Sequence, residues 1–490
     1  MANAVFDELM DIAGWLVRPE ESVKITGNDP LIPTRFRIGE VAAGIHAACG
    51  VAVAKLWELR TRRHQTVEVS MSAALATFRS FSYVRSNEPP RATPVSITNF
   101  YPTRDGRWFY LHGSMPDTSA HRNALAILGC EENPESVANA ISHWGAQSLE
   151  DIFAEGGCCG AIVRSTEEWA EHPQGRTLAR LPVVQVIKIG ESPPEPFPPG
   201  ERPLSGIRVL DLTRVLAGPT CARTLAEHGA DVMRIGAPHL HDSPAFVLDT
   251  GHGKRSAYLD LRKESDNQAL WALICEGDVF SQSYRLGALA GRGFTPETLA
   301  EARPGIIYVS TNCYGHEGTW KERRGWEQLA QTVTGIADEE GAHQNPRLMF
   351  GIAPTDYATG YLGAFGALVA LWRRAREGGS YHVRVSLTQS GMLINQLGRV
   401  PQTDVDLLKQ KLTSDEYRRL HGETVTRYGP IPLMNPEESA KLTIETDTPY
   451  GRITHLAPIV KLSETPARWT LPTVPPGSHQ PVWLKRGESH

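Results

Sequence analysis

The stretch PLSGIRVLDLTRVLAGPTCARTLAEHGADVMRI, Pro203 to Ile235, decides the fold. Its segment IRVLDL (Ile207 to Leu212) is an apolar run of the kind that forms a parallel strand buried on both faces. Gly218-Pro219 then opens a helical pattern, with proline in the first turn, where its missing N–H costs nothing. Gly229 is a natural stop for that helix, and DVMRI (Asp231 to Ile235) reads as the next strand. The series continues through SAYLDL (Ser256 to Leu261), DVFSQS (Asp278 to Ser283) and GIIYVS (Gly305 to Ser310), with helical patterns between, notably 267–276 and 296–302. Strands alternating with helices at this spacing predict an α/β fold with a doubly wound, Rossmann-like parallel sheet.

Outward from that core the signals change. MANAVFDELMDIAGWLV reads as a short amphipathic helix and not as a leader, because acids precede its apolar positions. Helical periodicity over 40–59 leads into the alternating strand QTVEVSM (Gln65 to Met71). YPTRDGRWFYLHGS (Tyr101 to Ser114) reads as two strands around an Arg-Asp-Gly turn, and PVVQVIKI (Pro182 to Ile189) as another strand. A Pro-rich segment, ESPPEPFPPGERP (Glu191 to Pro203), is read as a domain boundary. One repeat crosses it. GIHAACGVAVAK and TVEVSM, from Gly44, match GYLGAFGALVAL and HVRVSL, from Gly360, at a constant offset of 316, with identities at Gly44/Gly360, Gly50/Gly366, Val67/Val383 and Ser70/Ser386. A helix–strand unit therefore occurs twice. The organisation expected is an N-terminal helical extension (1–36), the repeated unit (37–86, again at 353–398), a smaller α+β segment (87–190), the linker (191–203), the sheet domain (204–400) and a tail packing back on it (401–490).

The 490 residues carry a formal net charge of −5, which gives no electrostatic reason to expect nucleic acid or an anionic membrane as partner. The most apolar stretch, Gly360 to Trp372, is too short to cross a bilayer. Seven cysteines without a C-x-x-C suggest reduced thiols and a cytoplasmic protein, and no metal site is expected. No G-x-G-x-x-G follows the first strand, which disfavours a nicotinamide or flavin dinucleotide.

The stretch from Pro203 resembles the opening of class III CoA-transferases, the group of formyl-CoA and carnitine CoA-transferases. Further landmarks follow in that family's order: GKRSAYLDLR (from Gly253), SYRLG (from Ser283), STNCYGHEG (from Ser310), WEQLAQTVTG (from Trp326) and PTDYATGYLGAFGALVALW (from Pro354). YPTRDGRWF and SLEDIFAEGGCCGAIVRSTEEWAEHPQG (from Ser148) resemble family segments that normally come after the sheet domain. Here they precede it, so the halves stand in permuted or partly duplicated order. The closing THLAPIVKLSETPARW (from Thr454) resembles the family's last segment.

The resemblance implies that Asp356 attacks an acyl-CoA thioester, forming an aspartyl anhydride and then an aspartyl-CoA thioester. A carboxylate suits this, since its acyl adduct is as reactive as the thioester it replaces. The same residue also reads as a plain helix N-cap. Val215, Leu216 and Ala217 match the family's pantetheine contact. Lys254 and Arg255 lie beside a predicted strand end and are expected at the coenzyme A phosphates, against the alternative of a solvated charge pair. Ser283, Tyr284, Arg285 and Tyr314 fall at family pocket positions. Glu40 corresponds to Asp356 in the repeat and reads either as a second carboxylate or as a helix-dipole partner. Coenzyme A and carboxylates are then substrates, no cofactor is expected to be tightly bound, and the family analogy favours a homodimer.

There are departures. Gly236 replaces the family's acidic residue after the second strand, Asn312 a frequent lysine, and His252 an asparagine. Related racemases of α-methylacyl-CoA thioesters carry Gly-His-Asp where this chain has Gly325-Trp326-Glu327, and a two-base proton transfer needs that histidine. His316 is the sole nearby substitute. A degenerate paralogue that only binds is the third reading.

Overall fold

The computed structural model describes residues 3–16, 23–86, 96–113, 118–240, 242–349, 351–413, 425–426, 429–430 and 436–485. Up to residue 190 the elements that matter are α1 (Ala4–Ala13), β1 (Val23–Thr26), α2 (Ile38–Thr61), β2 (Val67–Ser70), α3 (Met71–Thr77), β3 (Asn99–Pro102), β4 (Trp108–Leu111), β5 (Gly160–Ile162) and β6 (Gln185–Gly190). From residue 204 come β7 (Arg208–Leu212), α4 (Ala217–Glu227), β8 (Asp231–Gly236), β9 (Lys254–Tyr258), β10 (Val279–Gln282), β11 (Ile307–Asn312), α5 (Glu327–Val333), α6 (Pro354–Glu377), β12 (Ser380–Ser386) and α7 (Leu387–Gln396). The short ladder β13 (Val425–Thr426) with β14 (Gly429–Pro430), the hairpin β15 (Thr443–Thr448) with β16 (Gly451–Leu456), and β17 (Lys461–Leu462) follow.

The apolar runs that open the sequence reading line up as a seven-stranded sheet in the order β6-β12-β11-β10-β7-β8-β9. Every residue of β7 is buried, as a strand covered on both faces requires. Its neighbours run parallel; only β6 is antiparallel, against β12. One face carries α4 and α6 and merges with α2 into the largest apolar core. The other face is closed by Leu270, Leu273, Ile274, Phe294 and Leu299.

The boundary placed at 191–203 is corrected by β6, which belongs to the segment before the linker yet forms the edge of the sheet after it. The Pro-rich segment itself is pinned. Glu195 pairs with Arg303 at 2.7 Å, and Arg60 donates to the carbonyl oxygens of Pro198, Pro203 and Ser205. Proline without free N–H groups leaves carbonyls as acceptors, and an arginine fork fills them.

The smaller segment forms a three-stranded antiparallel sheet, β3-β4-β5, around the Arg-Asp-Gly turn, where Gly106 takes φ 76°. Residues 469–485 run back along the edge of the large sheet. Gly253 N–H donates to Leu471 O at 2.9 Å, and the Arg255 guanidinium donates to Val482 O at 2.6 Å. Among the described residues one helix, α2, is long and apolar enough to cross a bilayer, and most of it is buried inside the fold. All seven cysteines are free thiols.

Candidate functional site

Asp356 stands in the first turn of α6, and Ala353, the residue preceding that helix, makes no side-chain cap. The cap comes from elsewhere. Glu327, at the start of α5, accepts from Thr355 N–H at 3.2 Å, from the Thr355 hydroxyl at 2.8 Å and from Asp356 N–H. A fourth bond reaches Glu327 from the Gln331 amide at 2.7 Å. A carboxylate at a helix N-terminus collects orphan N–H donors and the favourable end of the dipole together. Asp356 is 9% exposed and Glu327 5%.

Two buried carboxyl groups at such close quarters do not both ionise. Burial pushes the Asp356 carboxyl well above the usual carboxylate range, and the Glu327 charge beside it pushes the same way. Burial also raises Glu327, but its four hydrogen bonds oppose the rise. Burial thus opposes ionisation of both groups, and hydrogen bonds to its charged form favour Glu327 in particular.

Three elements converge on this helix start. The turn at Val215, Leu216 and Ala217 approaches first: a Cβ on Gly360, one turn beyond Asp356, would stand 2.4 Å from the Ala217 carbonyl oxygen. Val215 holds a left-handed φ of 72°, rare for a β-branched residue. Cys313 comes second; burial pushes its thiol well above the usual range. Tyr314 beside it is buried in a cluster with Tyr110, Cys159 and Trp320, so it supports the wall and does not face solvent. Third is the smaller segment, whose His112 ring stacks on Trp326 at 5.2 Å, one residue before Glu327.

Arg285 is exposed, and among the described residues it has no ion-pair partner. Its charge is felt by Arg324, whose guanidinium is also lowered by burial. Arg324 lies 3.8 Å from where a Cβ on Gly157 would be, and its Nε makes no hydrogen bond. Ser283 and Tyr284 are half-buried at the end of β10. Tyr284 lies within the field of Arg214, Asp242 and Arg234, where Asp242 meets Arg234 at 2.7 Å and Arg214 at 3.7 Å. Ligands of open α/β sheets bind at such strand ends.

Two expectations are corrected. Lys254 is 2% exposed, 2.8 Å from Asp211, and donates to Pro219 O at 2.7 Å, so it ties β7 to α4 and is not available to a phosphate. Arg255 is likewise committed to Asp231 at 2.8 Å and to the Val482 carbonyl. Glu40 starts α2 and is held at 2.7 Å by Arg37, with a quarter of its side chain exposed. Sequence reasoning passed over Glu327, Arg214, Arg234 and Arg324. Arg214, two residues beyond β7, carried a readable signal, being a cation at a strand–helix turn; the cap by Glu327 spans 29 residues and carried none.

The chain matches the model of "CoA-transferase family III" over residues 22–188 and 204–404. It is 32% identical over 423 residues to an acyl-CoA transferase of Gibberella moniliformis, covering 76% of this chain and 73% of that one. It is 34% identical over 365 residues to the acetyl-coenzyme A transferase nodX of Hypoxylon pulicicidum, covering 70% and 60%. A crystal structure of Rv3272 from M. tuberculosis aligns with 23% identity and a TM-score of 0.47, over 58% of this chain and 99% of that one.

Proposed function

The chain belongs to CoA-transferase family III, and on that premise we propose that it moves coenzyme A from an acyl-CoA donor to a carboxylic acid acceptor, with Asp356 as nucleophile. An Asp356 oxygen attacks the thioester carbonyl carbon, the carbon–sulfur bond breaks, and CoA leaves as thiolate, with the acyl group left on Asp356 as a mixed anhydride. The thiolate then attacks the aspartyl carbonyl, releasing the donor acid and leaving an aspartyl-CoA thioester. Acceptor carboxylate attacks that thioester, expelling CoA thiolate and forming a second mixed anhydride; the thiolate then attacks its acceptor carbonyl, giving the new acyl-CoA and freeing the Asp356 carboxylate. Each step exchanges one acyl bond for another of similar reactivity, so no outside energy source is needed.

The observation that carries this reading is the placement of Asp356. It sits in the first turn of α6, 9% exposed, one turn before Gly360, which packs against the Ala217 carbonyl. Low water access protects an anhydride from hydrolysis. For the anionic parts of the substrates we assign Arg214, Arg285 and Arg324 in place of Lys254 and Arg255, because these three keep donors not fully taken up by the fold. A proton-shuttling racemase is not favoured: Trp326 stands at the histidine position, and the His316 ring is taken up by the Val385 carbonyl and Asn312.

Succinyl-CoA and acetyl-CoA with a panel of mono- and dicarboxylates test the proposal. Transfer that vanishes in Asp356→Asn, with coenzyme A binding kept, supports it. Transfer that survives Asp356→Asn, or binding with no transfer to any acceptor, refutes it.

A further inference from the structure

We infer that residues 1–190 and 204–485 stand to each other as two subunits of a dimer joined in one chain, with their final strands exchanged, and that one nucleophilic centre, at Asp356, operates between them. α2 and α6 each have 24 residues and begin and end 316 positions apart, at 38 and 354 and at 61 and 377. β1 runs parallel to β2 as β11 runs parallel to β12.

The outer neighbour of each repeated strand comes from the opposite half. β6, which ends the first half, pairs antiparallel with β12 of the second; β17, near the end of the second half, pairs antiparallel with β2 of the first. Val186 faces Val383 and Leu462 faces Val67, and Val383 and Val67 are themselves 316 apart. The segments carrying these strands form a second repeat, PVVQV (Pro182 to Val186) against PIVKL (Pro458 to Leu462), at an offset of 276. The packing repeats to the atom. A Cβ on Gly50 would meet Val67 Cγ1 at 2.5 Å and Val460 Cγ1 at 3.0 Å; one on Gly366 would meet Val383 Cγ1 at 2.4 Å and Val184 Cγ1 at 2.9 Å. Each glycine therefore makes room for a valine of its own half and a valine of the other.

The helix starts are matched as well. Asp29 accepts from Gly39 N–H at 3.1 Å and Glu40 N–H at 2.9 Å, as Glu327 accepts from Thr355 and Asp356. The difference lies in what surrounds the two acids. Tyr110, Cys159, Ala161 and Trp169 of the first half pack on Cys313, Tyr314, Leu329 and Ala330, so the first half builds the wall beside the second half's Asp356. Glu40 is neutralised by Arg37 within its own turn, and its backbone carbonyl is taken by Asn3 at 2.9 Å. A carboxylate already paired and open to water is a poor nucleophile and a poor shelter for an anhydride.

The chemical half of this inference rests on the transferase reading above, and the exchange of strands does not, so the test has two arms. In the full chain, Leu462→Cys with Val67→Cys places one cysteine on each of two paired strands. Mild oxidation is expected to give a crosslink within one chain, seen as a monomer on non-reducing gels and as a linked peptide pair on digestion. A covalent dimer, or no crosslink between these positions, overturns the exchange within the chain. In the second arm the full chain is incubated with acetyl-CoA, quenched in acid and mapped by mass spectrometry. One adduct per chain at Asp356 with none at Glu40 is expected, and an adduct at Glu40 overturns the single centre. No adduct at either site, with the intrachain link intact, removes the chemistry and leaves the architecture standing.

Discussion

The Glu327 carboxylate spans the backbone N–H groups of Thr355 and Asp356, so that the acid capping the helix start adds to burial in raising the Asp356 carboxyl. Stability and reactivity are set against each other by one side chain. In the proposed transfer Asp356 must be ionised to attack, and both burial and the Glu327 charge oppose that ionisation.

Glu327→Gln removes the charge and keeps one oxygen, enough for one of the two backbone N–H groups, since Thr355 and Asp356 reach different oxygens of Glu327. Asp356 then ionises more easily, so the rising limb of kcat/KM against pH moves to lower pH, by about one unit or more. The weaker cap costs about 1 kcal/mol of stability. A pH–rate profile and a thermal melt measure both, and a limb that stays in place contradicts the coupling.

Gly360→Ala is expected to be badly tolerated, since its Cβ would stand 2.4 Å from the Ala217 backbone oxygen. Overpacking of that kind costs about 1–3 kcal/mol, and here it pushes Asp356 away from the Val215–Ala217 turn. Gly363→Ala is the control, because its Cβ would meet Cys221 and Val385 at 3.5–3.6 Å, an ordinary contact. Thermal melts of the pair should separate, with Gly363→Ala equal to or above the parent.

Lys254→Ala should destabilise the fold, by about 3–5 kcal/mol, because Asp211, with no exposed surface, is left as an unpaired buried charge. Arg285→Ala should leave the melting temperature unchanged and raise KM for acyl-CoA. Denaturant titration alongside kinetics decides the matter. A stable Lys254→Ala with only a KM defect would return the lysine to the phosphate site.

Acid should unfold the protein early. Burial lowers His46 and His228 to about 3, His112 and His316 to about 4 and His382 to about 2, and it lowers His252, which stacks on His455 at 3.6 Å. These rings are neutral when folded, while in the unfolded chain they take up protons below about 6.5. Their stabilising effect is therefore complete above pH 6.5 and declines as pH falls toward the folded values. Glu227, raised to about 8 by burial, acts in the opposite sense and loses its contribution as pH rises from about 4.5. Chemical denaturation from pH 4 to 8 should show stability falling on the acid side; a flat acid limb contradicts the assignment.

The sheet was readable because buried parallel strands leave apolar runs such as IRVLDL, and the repeated helix because Gly44, Gly50 and Val53 recur at one offset. The exchange of β6 and β17 was not, because PVVQV and PIVKL share their pattern more than their letters and sit at a different offset, 276. Lys254 and Arg255 misled for a physical reason. A Lys-Arg pair beside a predicted strand end reads as cations free for phosphate, and only the fold reveals Asp231 on the adjacent strand and Asp211 on the strand beyond it. Asp356 was found by its surroundings in sequence, but Glu327 is joined to it only through space.

Peptide mapping of the acid-quenched protein after brief exposure to acyl-CoA is the sharpest check on Asp356 as the acylated residue. A mass increase confined to the peptide bearing Asp356, reversed by added carboxylate acceptor and missing in Asp356→Asn, is the predicted result. An unmodified Asp356 under conditions in which acyl transfer proceeds would contradict the account.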